Sequence, residues 1–274
     1  MSTSSGTNKQ QMPAEYIPII STILNGDLSG ALTMLRHHAN LVGESAWVTA
    51  VDRIIVNEWI RRRQSKEGAL QRLKSLGFSP NTVIDVGAQV GTPELFNAFP
   101  EASHLFIEPV AECLPHLQAI KQRLKQCEIE TVAISNTNGQ STLSISESLQ
   151  YSSLEGASGP IVRTIEVRTV NYLIEKHILR APYLLKIDVD GREIDVLKGA
   201  TSVLNDPNSC LVIEATLCDK TPRFQRIIDF LERFNYRVSD IVDYLYRPND
   251  QALWQVDLIA LRESHVLFGK TNYA

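Results

Sequence analysis

Cysteine is scarce in this chain, and what there is forms no pattern. Cys113, Cys127, Cys210 and Cys218 make no Cys-x-x-Cys pair and no zinc-like spacing with the six histidines. A disulfide framework and a cysteine–histidine zinc site are thereby excluded as organising devices, leaving buried thiols in a reducing compartment. Long apolar runs are missing as well; none approaches the roughly 20 residues that a membrane span requires. Positive charge is not in excess: 27 Lys and Arg face 31 Asp and Glu, for a net charge of -4. With no basic surplus and no aromatic–basic ribbon, nucleic acid is not an expected partner. The opening stretch MSTSSGTNKQQ is polar and lacks the apolar centre of a signal peptide, so a cytoplasmic protein is expected.

What is present is ordinary for a globular protein. Hydrophobic residues make up 43% and charged residues 21% of 274 positions, enough for one large domain or a domain with an appendage. Residues 1–13 read as a disordered tail. Residues 14–78 read as a helical region. Ile17, Ile20 and Leu24, then Leu32 and Leu35, recur at helical spacing on either side of the turn Asn25-Gly26-Asp27. A third helix over 45–66 places Val48, Val51, Ile55 and Trp59 on one side and ends in Arg61, Arg62 and Arg63. A fourth over 66–76 stops at Gly77.

After Pro80 the texture changes. Short β-branched runs alternate with helical stretches: TVIDV (82–86), HLFIE (104–108), IETVAI (129–134), YLLKIDV (183–189), CLVIEA (210–215) and VDLIALR (256–262). Nearly continuous apolar strands separated by helices predict an α/β domain over 79–274, a parallel sheet covered by helices on both faces. Residues 136–170 break the alternation. Asn138-Gly139 followed by STLSIS and IVRTIEVRTV predicts extra strands or a hairpin inserted between the third and fourth core strands. His104 and His116 fall on surface-like positions and carry no predicted role.

The first strand ends in Asp85-Val86-Gly87-Ala88-Gln89-Val90-Gly91, with Thr92 as N-cap and Pro93 opening a helix. Glycines at a strand's carboxyl end let the backbone turn sharply and approach a ligand. The dinucleotide fingerprint Gly-x-Gly-x-x-Gly is not met, because position 89 is Gln, and no Walker lysine follows. An Asp before the loop would repel a pyrophosphate but suits a ligand with a cationic amino-acid end. Glu108, ending the next strand, is placed to accept both hydroxyls of a ribose. Together these favour S-adenosylmethionine over NAD or ATP, with Asp85, Gly87, Ala88, Gly91 and Glu108 as cofactor-binding candidates.

The chain resembles the FkbM-type methyltransferases over about 82–215. The resemblance rests on VIDVGAQVG, FIEPVAE, VAISNTNGQSTLSIS, the Ser-Ser-Leu at 152–154, and above all LLKIDVDGREIDVLKGA at 184–200 followed by LVIEA. The family usually has Lys-Ile-Asp-Val-Glu-Gly-x-Glu running into Leu-Lys-Gly-Ala. Here Asp190 replaces the Glu, Arg192 stands where a small residue is common, and Asn171 where an Asp is usual. The resemblance implies a class I methyltransferase fold: a Rossmann-like, seven-stranded, mostly parallel sheet with an antiparallel last hairpin. It also implies methyl transfer from S-adenosylmethionine to an oxygen, typically a hydroxyl of a sugar, glycan or polyketide-like metabolite. On that fold Ala133 and Ser135, at the end of the third strand, fall near the adenine.

Lys186, Asp188 and Asp190 alternate, so an extended strand aims all three to one side. Paired acids in a partly dry pocket suit a general base, making Asp188 the predicted catalytic group, supported by Asp190 and Lys186. Glu214, ending the fifth strand, is predicted to face the acceptor. Asp188, Asp190 and Glu214 would be the ligands of a divalent cation, which the spacing allows but does not demand. Tyr244, Tyr246 and Trp254 fall in a late segment suited to an acceptor wall. A small-molecule or glycan acceptor is the expected partner, and homo-oligomerisation through the N-terminal helices is open. The competing classes are a non-catalytic cofactor-binding or assembly module of the same fold and an NAD-linked oxidoreductase, the latter disfavoured by Gln89.

Overall fold

The computed structural model describes residues 12–25, 27–43, 46–145, 152–154, 161–217 and 221–268. Most of the expected tail, Gly26 of the first turn and Cys218 lie outside the described residues. The chain divides into two compact units, Met1–Arg63 and Gln64–Ala274.

The first unit is helical. A 3-10 turn at Ala14–Tyr16 leads into α1 (Ile17–Leu24), followed by α2 (Leu28–Val42) and α3 (Ala46–Arg63). Asp27 caps α2, its Oδ1 accepting from the Gly30 amide at 2.7 Å. Tyr16, Ile19, Ile23, Ala31, Leu35, Val51 and Ile55 form the core. Two expected core positions lie outside it: Ile17 is exposed, and Leu24 is 79% exposed. Helix α1 is apolar nearly all round, so two stripes at helical spacing compete, and packing selects Tyr16–Ile19–Ile23. Trp59 of α3 is likewise exposed.

The second unit opens with α4 (Lys66–Ser75), capped by Ser65 Oγ on the Gly68 amide at 3.1 Å and closed by Gly77 at φ +100°. It buries Ala69, Leu70 and Leu73 against Phe78, Val83 and Leu95. The compact α/β unit thus begins ahead of residue 79, where the strand pattern starts, because its first helix covers the sheet.

From β1 (Thr82–Val86) the chain passes through α5 (Pro93–Ala98) to β2 (Ser103–Ile107), then through α6 (Leu114–Lys121) to β3 (Cys127–Glu130). A four-stranded second sheet follows: β4 (Ala133–Ile134), β5 (Gly139–Ile145), β6 (Ser152–Leu154) and β7 (Ile161–Arg168), in the order β4-β7-β5-β6. Helix α7 (Val170–Lys176) returns the chain to β8 (Tyr183–Ile187). Then come α8 (Glu193–Lys198), α9 (Thr201–Asn205), β9 (Cys210–Thr216), α10 (Arg223–Arg233) and the hairpin β10 (Tyr236–Tyr246) and β11 (Leu253–Arg262). The main sheet runs β10-β11-β9-β8-β1-β2-β3. It is parallel from β3 to β9, with β11 antiparallel to both neighbours.

The two-residue period of the strands assigns the faces. Ile84, Val86, Leu185 and Ile187 pack with Val170, Val196, Val203 and Ile227 of the helices on one face. Val83, Leu184 and Val212 pack with Leu70, Leu73 and Leu95 on the other. This is the seven-stranded, Rossmann-like sheet with helices on both faces, and the inserted strands fall where 136–170 breaks the alternation.

Two expectations need correction. The run 129–134 is not one strand: β3 ends at Glu130 in the main sheet, and Ala133 and Ile134 pair with Val167 and Arg168 in the second. Val132 and Ile134 remain in the core while the backbone changes partner, so the apolar pattern continues across the break. His104 is not a surface residue. It is 2% exposed on β2, with Nε2 3.0 Å from the Phe99 carbonyl oxygen, and burial holds its pKa below the usual range.

Candidate active site

Strand order reverses at β1. The chain builds outward through β2 and β3 on one side, then returns to build β8 and β9 on the other. The crevice at the carboxyl ends of strands beside such a reversal is where open α/β sheets place ligands. A cavity of about 360 Å³ opens there, lined by Val86 and Gly87 after β1, Ile107 and Glu108 after β2, and Asp188 and Asp190 after β8. Glu214 of β9 and Gln255 and Trp254 of β11 complete one end, and Val132, Ala133, Ile134 and Leu143 form an apolar wall.

Gly87 lets the loop lie against the neighbouring strand end. Its φ is +75°, and a Cβ there would fall 1.9 Å from the Asp188 carbonyl oxygen. The Asp188 amide donates to the Val86 carbonyl at 3.0 Å. Gly87→Ala is therefore expected to cost at least about 1–3 kcal/mol, because both the backbone conformation and the contact are lost. The measurement is the melting temperature; an unchanged value would show that the loop relaxes freely.

Glu108 is set by the same loop. Its Oε2 accepts from the Gln89 amide at 2.8 Å and its Oε1 from the Val110 amide at 2.9 Å. Gln89, at φ +45°, holds an uncommon left-handed conformation that presents this amide. Burial pushes the Glu108 carboxyl up, and the two amides oppose that shift. Each oxygen keeps a lone pair for a further donor.

Lys186 is 3% exposed and joins the loop to the β8 end. Its Nζ lies 3.0 Å from Asp188 Oδ2 and 3.4 Å from Asp85 Oδ1, and donates to the Gly87 carbonyl at 3.3 Å. Burial lowers its pKa, but Asp85 and Asp188 outweigh burial and hold the ammonium charged. Asp85 is 1% exposed, and neither carboxyl oxygen has a hydrogen-bond partner among the described residues. Lys186 is the cation beside it.

Glu214 carries the largest carboxyl perturbation at the site. Burial first, then the nearby charges of Asp188 and Asp257, push its pKa up to about 8. Crowding of like charge in a partly dry site favours the protonated Glu214 carboxyl. Gln255 Nε2 donates to Glu214 Oε1 at 2.8 Å and fixes its orientation. Asp190 stands at the mouth, its pKa raised by burial and by Asp188 and lowered by Arg223. The Arg223 guanidinium lies against Gly191, where a Cβ would meet Cζ at 3.0 Å.

The structure brings Gly87, Glu108, Ala133, Asp188, Asp190 and Glu214 to one cavity. Asp85 and Lys186 support it from behind. Ala88 is buried with its amide on the Ile107 carbonyl, and Gly91 faces Ile120 of α6. Ser135 lies outside the lining, its amide bound to the Arg168 carbonyl. Strand β8 ends at Ile187, so Asp188 and Asp190 lie on the segment beyond it rather than on the strand. Asn171 sits away from the cavity, donating to Thr201 Oγ1 and accepting from the Ser202 amide. Among the described residues no three His, Cys, Asp or Glu side chains are grouped to hold a metal, and no helix is long and apolar enough to cross a membrane. Arg223 and Gln255 escaped the sequence reading, since nothing local distinguishes them from other surface polar residues.

The Methyltransferase FkbM domain model matches residues 85–238. Among solved structures, the chain is similar to the FkbM methyltransferase of Methylobacillus flagellatus KT, at 18% identity and TM-score 0.48, covering 89% of this chain and 58% of that one. The chain thus spans less than two thirds of that relative. It is also similar to Precorrin-6y C5,15-methyltransferase of Geobacter metallireducens, at 13% identity, 71% and 86% coverage and TM-score 0.40. A third is Aeropyrum pernix fibrillarin in complex with S-adenosyl-L-methionine, at 14% identity, 73% and 76% coverage and TM-score 0.42. No curated protein matches the chain. With its glycine loop, Glu108 and the 184–200 segment all inside a domain match that takes in more than half of its residues, the chain belongs to the FkbM methyltransferase family.

Proposed function

We propose that this protein is an S-adenosylmethionine-dependent O-methyltransferase whose acceptor is a hydroxyl of a sugar, glycan or polyketide-like metabolite. The observation that carries the proposal is the placement of Asp188 and Glu214 in the same cavity as Glu108, with Gln255 Nε2 donating to Glu214 Oε1 at 2.8 Å.

The residues suit the cofactor. Glu108, already oriented by two amides, would accept from the ribose hydroxyls. Ile107, Ala133 and Ile134 offer an apolar wall for a base, and Gly87 brings backbone close to the ligand. Asp85, Ala88 and Gly91 shape the loop from behind. S-adenosylmethionine supplies an electrophilic methyl group when bound. A hydroxyl becomes an effective nucleophile only as its proton leaves. Glu214, beside Asp188, is the group to take that proton, and Lys186 holds Asp188 in place. Positioning within a walled cavity adds to this, on the order of 7–11 kcal/mol in the best cases.

Calorimetric titration with S-adenosylmethionine and S-adenosylhomocysteine tests the cofactor. Wild-type protein is expected to bind both. Glu108→Ala is expected to weaken binding about tenfold or more, since it removes charge-assisted hydrogen bonds, and Asp85→Ala to weaken it through the loop. Folded wild-type protein that binds neither compound would overturn the proposal.

A further inference from the structure

A second cavity, of about 380 Å³, adjoins the first and shares Glu214, Leu245 and Gln255 with it. Its other walls are Lys66, Asp243, Tyr244, Val256 and Asp257. The two spaces therefore meet at Glu214, the proposed proton acceptor.

An irregularity in the last hairpin builds this cavity. Val242 pairs with Asp257 and Leu245 with Gln255, so β10 carries one residue more than β11 between those pairs. Asp243, within that bulge, has φ +51°, a conformation unusual for a non-glycine residue. It is pinned at the start of α4: its amide donates to the Gln64 carbonyl at 2.8 Å, and its Oδ1 accepts from the Lys66 amide at 3.0 Å. Bulges of this kind re-aim side chains beside active sites. Here the bulge turns Asp243, Tyr244 and Leu245 toward the cavity.

The lining has a definite chemistry. Three carboxyls, Asp243, Asp257 and Glu214, face one ammonium, and Lys66 Nζ is already 2.7 Å from Asp257 Oδ2 and 3.5 Å from Asp243 Oδ2. Even with Glu214 holding its proton, two carboxylates face one ammonium, so the wall offers hydrogen-bond acceptors and repels anions. The Tyr244 hydroxyl donates to the Ile241 carbonyl at 2.9 Å, so its half-exposed ring, with Leu245 beside it, is what a ligand would meet. Acceptor groups opposite an aromatic face suit a ring with C–H faces and a rim of hydroxyl donors.

We infer that the second cavity is the acceptor subsite and that it takes a polyhydroxylated ring without negative charge, neutral or amino-substituted, while phosphorylated and carboxylated rings are turned away. The inference rests on the methyltransferase proposal, and deepens it by assigning Asp243 and Tyr244 as specificity-determining residues.

The test is saturation-transfer NMR on the full chain loaded with S-adenosylhomocysteine, using methyl α-glucoside, glucosamine, glucose 6-phosphate and glucuronate as probes. The first two are expected to bind at least about fivefold more tightly than the two anions. Asp243→Asn and Tyr244→Ala are each expected to weaken methyl α-glucoside about fivefold or more, with S-adenosylhomocysteine affinity unchanged within about twofold. Anions binding as tightly, no probe binding, or sugar binding indifferent to both substitutions would each overturn the inference and leave the methyltransferase proposal standing. So would loss of S-adenosylhomocysteine binding in either variant, because the two cavities would then not be separable. Wild-type protein that fails to bind S-adenosylhomocysteine overturns both.

Discussion

Glu214→Gln is expected to slow methyl transfer by about 10²–10⁴-fold, the range that a positioned general base contributes. Gln keeps the size of the side chain and can still meet Gln255, so the loss reports proton acceptance rather than packing. A pH profile provides the sharper readout. Glu214 has its pKa raised from 4.5 to about 8, by burial first and then by Asp188 and Asp257. Below about 8 Glu214 holds its proton and cannot accept another from the acceptor. The rate is therefore expected to rise through about pH 8 and level off above it. In Glu214→Gln the remaining rate should lose that inflection; its persistence would assign the proton to another group.

The same shift has a consequence for stability that needs no acceptor. Between 4.5 and 8 the folded protein keeps a proton that the unfolded chain gives up, so the unfolded state binds fewer protons. Wild-type stability from this group falls as pH rises through that window. Glu214→Gln is expected to flatten the decline, as followed by urea unfolding at pH 5 and pH 8. Equal slopes in the two proteins would remove Glu214 as its source.

Lys186→Met is expected to destabilise the α/β unit by about 3–5 kcal/mol, the cost of removing one partner of a buried ion pair. The energy resides mainly in Asp85. Its carboxyl is almost wholly buried and has no hydrogen-bond partner among the described residues, so the Lys186 ammonium at 3.4 Å is its principal compensation. Asp188 is a third exposed and can be hydrated when the lysine is gone. For a unit this size the expected fall in melting temperature is about 10 °C. Adding Asp85→Asn should recover part of it, because the stranded charge is removed as well. A double variant no more stable than Lys186→Met would show that Lys186 acts through packing or through Asp188 instead. S-adenosylhomocysteine titration separates the two roles: the double variant should bind no more weakly than Asp85→Asn alone if Lys186 acts on the loop through Asp85.

Several features were legible in the sequence because they are local. A loop of glycines after a β-branched strand needs only covalent neighbours to announce a sharp turn, and Gly87 at φ +75° makes it. Glu108 could be placed because strand, helix and strand have set lengths. The acids at 188 and 190 stood out as an interruption of an apolar run. The alternation of strands and helices likewise implied a covered parallel sheet, since only such a sheet buries β1 and β8 on both faces.

Where two local solutions compete, or where a group's chemistry depends on distant partners, only the tertiary structure decided. Helix α1 offers two apolar stripes, and packing rather than periodicity excluded Ile17 and Leu24. The run 129–134 is apolar throughout, and backbone pairing alone cut it in two. Lys186 reads from sequence as part of an acidic–basic strand end; its burial beside Asp85 depends on β1 and β8 being adjacent. Glu214 reads from sequence as a strand-end carboxylate facing the acceptor, and its raised pKa arises only when the fold removes water from it and sets Asp188 and Gln255 beside it. The second cavity depends on Lys66 from the first helix of the unit meeting Asp257 from its last strand. Sequence determined the backbone plan and the types of side chain at each strand end. Desolvation, register and long-range charge pairing, which exist only once the chain has folded, determined which of those side chains can do chemistry.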